Sequence, residues 1–141
     1  MAKGRAGLGR TGEELAAKAL AANGYTVIDR NWRCPIGEVD LIAGRGDDVY
    51  FVEVRTRRTS TATSPEQSLT LRKASRMEAV ARAYLGSHPA GDDPVWHLSF
   101  VAVAMDGSGR LQRITLYPDL QGEPMDLLRL AAAGSAGSAP A

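Results

Sequence analysis

Two apolar runs that carry acid constrain this chain more than any other feature. The first reads Gly37-Glu38-Val39-Asp40-Leu41-Ile42 and the second Val49-Tyr50-Phe51-Val52-Glu53-Val54-Arg55, with Gly44-Arg45-Gly46-Asp47-Asp48 between them. Apolar runs on both sides of a glycine- and aspartate-rich turn spell a β-hairpin. Side chains alternate across a strand, which puts Glu38, Asp40 and Ile42 on one face of the first strand. Phe51, Glu53 and Arg55 share one face of the second. Adjacent pairing then sets Asp40 beside Glu53, with a guanidinium one step along. A carboxylate on an apolar strand is costly unless it is paired or bound to a cation. Two readings follow: a structural ion cluster with Arg55 and Lys73, or a site for a cation.

The chain has 141 residues, enough for one domain with a proper core and short for two. Its formal charge is +1, so no global excess of charge announces a polyanion partner. The distribution is less even. Arg55, Arg57, Arg58, Arg72, Lys73, Arg76 and Arg82 face only Glu66 and Glu78 over the same stretch. Such a local basic field can track phosphates, although a solvated charged face is the commoner outcome. Cys34 is the sole cysteine, which excludes a disulfide framework and a cysteine-ligated zinc site; it reads as a packing residue. The start of the chain has no apolar segment of the signal-peptide kind, and no stretch is long and apolar enough to span a membrane. The expected location is the cytoplasm.

In chain order, residues 1–10 read as a flexible basic arm. Thr11 and Glu14 have capping-box spacing and open a helix, which leaves Glu13 on a stripe with Ala16, Ala17 and Leu20. Asn23-Gly24 closes it. A short strand, Tyr25 to Arg30, leads through a connection into the hairpin. A polar loop follows Arg55, and Ser64-Pro65-Glu66-Gln67 offers a second capping box. The main later helix runs from about Leu71, after Thr70, to Leu85. Val95 to Ala104 and Arg110 to Tyr117 are strands. Met125 to Ala132 is a short helix, and the Gly/Ala/Ser-rich end from Gly134 is a disordered tail. The boundaries are thus an arm over 1–10, one domain over 11–120, and a helix with tail over 121–141. The alternation of helices and strands gives the α/β class, a mixed sheet of about five strands flanked by helices.

Glu13 in the first helix, the Gly37–Ile42 run, and Phe51-Val52-Glu53-Val54-Arg55-Thr56-Arg57 together resemble the PD-(D/E)XK nuclease superfamily. More narrowly, with Gly12-Glu13-x-x-Ala16 upstream and Thr70-x-x-Lys73 downstream, the chain resembles the YraN family, small bacterial proteins similar to Holliday-junction resolvases. The similarity runs from about Gly9 to about Val103. It implies a restriction-endonuclease-like core and a metal-dependent DNA endonuclease. The implied catalytic residues are Glu13, Asp40, Glu53 and Arg55. Asp40, Glu53 and the Val54 carbonyl are the implied ligands of Mg²⁺ or Mn²⁺. Arg57, Arg58, Lys73 and Arg76 are candidates for contact with DNA, branched or single-stranded, and a second copy of the chain is a candidate partner.

The chemistry is coherent on its own terms. Hydrolysis of a phosphodiester is helped by a divalent cation that neutralises developing charge and lowers the pKa of water. Mg²⁺ takes oxygen ligands and keeps several waters, so two carboxylates and a carbonyl suffice. Two departures from the family pattern stand out. Arg55 occupies the usual lysine position and cannot act as a base, although its planar fork can clamp a phosphate. His97 and Ser99 stand near the places where relatives carry arginine and aspartate. The alternative function is therefore a nuclease fold that binds nucleic acid without cutting it.

Overall fold

The computed structural model describes residues 2–58, 70–88 and 94–129. Its helices and strands follow one another as α1 (Ala2–Ala22), β1 (Thr26–Cys34), β2 (Gly37–Arg45), β3 (Asp48–Arg58), α2 (Leu71–Ser87), β4 (Val95–Met105), β5 (Leu111–Tyr117) and β6 (Met125–Asp126). The strands form one six-stranded sheet in sequence order. All neighbours are antiparallel except β3 and β4, which run parallel because α2 carries the chain back between them. The fold is the mixed α/β sheet expected, with six strands in place of five.

The two helices cover opposite faces. The α1 stripe buries Ala16, Ala17 and Leu20 against Leu41, Ala43, Val52, Val101, Val103, Ile114 and Leu116. On the other face α2 buries Val80, Ala81 and Tyr84 against Val39, Ile42 and Phe51. Each fully buried Leu, Ile or Phe in these layers contributes about 1.5–3 kcal/mol. Leu127 closes the α1 face, and its carbonyl accepts from Asn23 Nδ2 at 3.0 Å, tying the last described segment to the end of α1.

Local chemistry explains most boundaries. Gly24 adopts φ +90° just past α1, and Tyr25 N–H donates back to the Leu20 carbonyl at 3.0 Å, as a left-handed helix end requires. Gly46, at φ +60°, makes the tight turn between the paired Arg45 and Asp48. Thr70 is the N-cap of α2, its hydroxyl accepting from Lys73 N–H at 3.2 Å.

Four expectations need correction. Helix α1 begins at Ala2, so the stretch read as a basic arm is helical and Thr11 lies within the helix instead of capping it. The alanines, Leu8 and the long basic residues there favour helix strongly enough to carry it across three glycines. Strand β1 extends to Cys34, through residues read as a connection, because β2 pairs with it all the way to Cys34–Gly37. Gly86 lies inside α2, which runs on to Ser87. Met125 and Asp126 pair with β5 as a strand, and helical residues start only at Leu127, with Asp126 Oδ1 accepting from Leu128 and Arg129 N–H. The capping box at Ser64 and the tail from Gly134 lie outside the described residues. Among the described residues, no helix is long and apolar enough to cross a membrane.

Candidate metal centre

The site exists because one ladder stops short. Pairing of β2 with β3 ends at Leu41–Val52, whereas β3 continues beside β4 as far as Arg58–Met105. One more step of the hairpin register would place Asp40 opposite Glu53. There the strands part instead, and the Asp40 side chain replaces the missing strand bond: its Oδ2 accepts from Val54 N–H at 2.8 Å. The alternation of β2 breaks at the same point. Val39 and Ile42 both join the α2-side cluster, while Leu41 joins the α1 side. Strict alternation would have separated Val39 from Ile42. Irregular backbone at this point is what brings a carboxylate into the plane of the sheet.

Asp40 and Glu53 are both largely withdrawn from water, and the Glu53 side chain is only 13% exposed. Burial, then the Glu53 charge, pushes the Asp40 carboxyl up to about 7; the charges of Glu13 and Glu38 add to this, and the Val54 N–H opposes it. Burial also raises Glu53, partly offset by the Arg55 charge and by a hydrogen bond with Asp40. Near neutral pH Asp40 is therefore only partly ionised. Two cations attend Glu53 Oε2: Lys73 Nζ at 2.7 Å and Arg55 Nε at 3.3 Å. Arg55 Nε is buried there without hydrogen-bond geometry.

A cleft of about 520 Å³ opens over this pair, lined by Arg33, Cys34, Gly37, Glu38, Asp40, Glu53, Lys73 and Arg76. Glu38 is exposed and paired with Arg33 at 2.9 Å across the β1–β2 ladder. Lys73 and Arg76, both candidates for contact with DNA, face the cleft. Arg57 and Arg58 are not among the lining residues; Arg58 reaches across to the Gly107 carbonyl at 2.8 Å, in the turn between β4 and β5. Of the four basic residues, Lys73 and Arg76 thus line the cleft and Arg57 and Arg58 do not.

Glu13 approaches from the α1 side. Gly12 is pressed against Thr56, whose hydroxyl occupies the space a Cβ would need, so only glycine lets α1 sit this close to β3. That contact brings the Glu13 charge within reach of Asp40. Among the described residues, however, no three His, Cys, Asp or Glu side chains converge as a ready-made metal group. Glu13 adds its charge to the field at Asp40. The donor chemistry fits a hard divalent ion: two half-buried carboxyls whose ionised forms a cation between them would favour.

The tryptophans are packing residues. Trp32 meets Tyr84 edge-on, and Trp96 lies between Phe51 and the Arg82 guanidinium. The sequence offered Lys73 in two roles, in an ion cluster with the acidic pair and on a phosphate-tracking surface; the structure seats its ammonium on Glu53, as the ion-cluster reading has it.

The profile described as "Uncharacterised protein family UPF0102" matches residues 12–114, a span that takes in Gly12, Glu13, Asp40, Glu53, Arg55 and Lys73. This chain belongs to that family, UPF0102, the YraN family. Among its relatives, a "UPF0102 protein" of Chloroflexus aurantiacus is 43% identical over 104 residues, which is 74% of this chain and 83% of the relative. One from Moorella thermoacetica is 46% identical over 79 residues, 56% of this chain and 66% of the relative. A third, from Desulfitobacterium hafniense, is 40% identical over 103 residues, covering 73% and 85%. Within this UPF0102 chain the two later departures have structural partners. Ser99 is fully buried and donates to the Pro118 carbonyl at 2.7 Å. His97 stacks on Tyr50 and bridges Asp48 at 2.9 Å and Asp119 at 2.8 Å.

Proposed function

We propose that this chain is a metal-dependent endonuclease that hydrolyses phosphodiesters in DNA, with branched or single-stranded DNA as substrate. The observation that carries the reading is the Asp40–Glu53 pair: two half-buried carboxyls, each raised by burial, at the floor of a cleft rimmed by Arg33, Lys73 and Arg76. Asp40, Glu53 and the Val54 carbonyl would hold Mg²⁺ or Mn²⁺. When bound, the cation supplies charge neutralisation and an acidified water. The chain's own groups do the rest. Arg33 and Arg76 meet the phosphate backbone at the cleft mouth, and such contacts set position without reading sequence. Asp40 stays fixed by the Val54 N–H, so one carboxylate keeps its orientation while substrate enters. In the reaction a water oxygen bonds to phosphorus, the bond from phosphorus to the leaving sugar oxygen breaks, and a proton from the water ends on that leaving oxygen. Symmetric cutting of two strands calls for a second copy of the chain.

The test is cleavage of labelled four-way junction, flap and single-stranded DNA by the purified full chain with Mg²⁺ or Mn²⁺. Asp40→Ala is expected to lose at least about 10²-fold in rate. Undiminished cleavage by that variant would assign the activity to a contaminant and overturn the reading. The second reading, a nuclease fold that binds nucleic acid without cutting it, is favoured by the two cations already seated on Glu53. DNA binding at low salt with no cleavage under any divalent ion selects it; no binding even at low salt removes it.

A further inference from the structure

The two cations on Glu53 are not equivalent. Arg55 comes from the same strand face as Glu53, makes no hydrogen bond through its buried Nε, and is not among the cleft-lining residues. Lys73 comes from α2, makes the shorter contact at 2.7 Å, and lines the cleft with its side chain 28% exposed. Its backbone is held by the helix cap. The Lys73 N–H is the donor that the N-cap Thr70 accepts. One turn later Arg76 lies against Gly37, where an added Cβ would stand 3.3 Å from Arg76 Cδ and 3.4 Å from Val80 Cγ2. Helix α2 is therefore seated tightly on β2. Thr70-x-x-Lys73 is a single device: the first residue caps the helix and the fourth, pinned by that cap, delivers its ammonium to the carboxylate pair.

We infer that Lys73, and not Arg55, supplies the positive group that contacts the scissile phosphate, delivered from helix α2 instead of from strand β3. The inference rests on the endonuclease reading above. An ammonium offers three donors on a flexible stem, so an incoming phosphodiester can draw it from Glu53 onto a non-bridging oxygen. There it stabilises the charge that grows as the water oxygen bonds to phosphorus. Lys73 gives up no proton in this role.

Three readouts test it in the purified full chain: single-turnover cleavage of a labelled flap DNA at saturating concentration, Mg²⁺ affinity by calorimetry, and thermal melting as a check of folding. Lys73→Met is expected to cut the cleavage rate by about 10²–10³-fold. Its Mg²⁺ affinity should rise severalfold, because a positive charge leaves the neighbourhood of a ligand carboxylate. Ethylammonium added to Lys73→Ala should restore part of the lost rate, which a merely structural ion pair would not permit. A folded Lys73→Met that cuts like a cleaving wild type, or whose Mg²⁺ affinity falls or stays unchanged, overturns the inference and leaves the endonuclease reading standing. A wild type that binds Mg²⁺ and cuts nothing overturns both.

Discussion

Asp40 concentrates the physics of this protein in one side chain. It completes a strand bond, faces Glu53, and carries a carboxyl raised by burial and neighbouring acid to about 7. A folded-state pKa above the unfolded one means that the native state holds a proton the unfolded chain has lost. Stability therefore falls as pH rises from about 4 to about 7. Asp40→Asn keeps an oxygen for Val54 N–H and removes the charge. We expect it to gain about 1–3 kcal/mol in denaturant unfolding at pH 8 and next to nothing at pH 4. An Asn variant less stable than wild type at pH 8 would contradict this. The adjacency of Asp40 and Glu53 was legible because side chains alternate along two strands joined by a short glycine-rich turn. The end of the ladder at Leu41 was not, and the reach of Lys73 was legible only as one of two readings, since it depends on how a distant helix sits on the sheet.

At the scale of elements, two glycines set the helix seats. Gly12 admits α1 to β3 over Thr56, and Gly37 admits α2 to β2 under Arg76 and Val80. In an isolated helix Gly12→Ala would help by about 1 kcal/mol. Here the clash with Thr56 wins, and we expect a net loss of about 1–3 kcal/mol in thermal or denaturant unfolding. Much of that loss should return in Gly12→Ala/Thr56→Ala, where the obstructing hydroxyl is gone; purely additive losses in the double variant would show that the contact is not the cause. Sequence periodicity gave the α1 stripe and the Thr70 cap correctly, because both are local. It misplaced the start of α1, since three glycines and a capping-box match outweighed the helix formers around them. It also missed β6, whose two residues carry no period and become a strand only because β5 offers an edge.

Over the whole molecule, two sites along the sheet tie stability to pH in the same direction. At the start of β4, burial opposes the charge on His97, but its hydrogen bonds to Asp48 and Asp119 and their charges outweigh that cost and raise its pKa. That contribution is full below about 6.5, the unfolded value, and is lost as pH rises through the higher folded value. The Asp40–Glu53 pair loses stability over the range just below. The protein should therefore melt at a higher temperature at pH 5.5 than at pH 8. His97→Gln should remove only the upper part of the slope, above about pH 6.5. A melting temperature that increases from pH 5.5 to pH 8 would refute the arrangement.

An endonuclease of this kind requires the carboxylate pair to hold a divalent cation. The direct measurement is calorimetric titration of Mg²⁺ and Mn²⁺ into the full chain, alone and with an uncleavable phosphorothioate DNA, beside Asp40→Asn/Glu53→Gln. Saturable binding that the double variant loses is the predicted result. Failure of the wild type to bind either ion with DNA present, or equal binding by the variant, would contradict it.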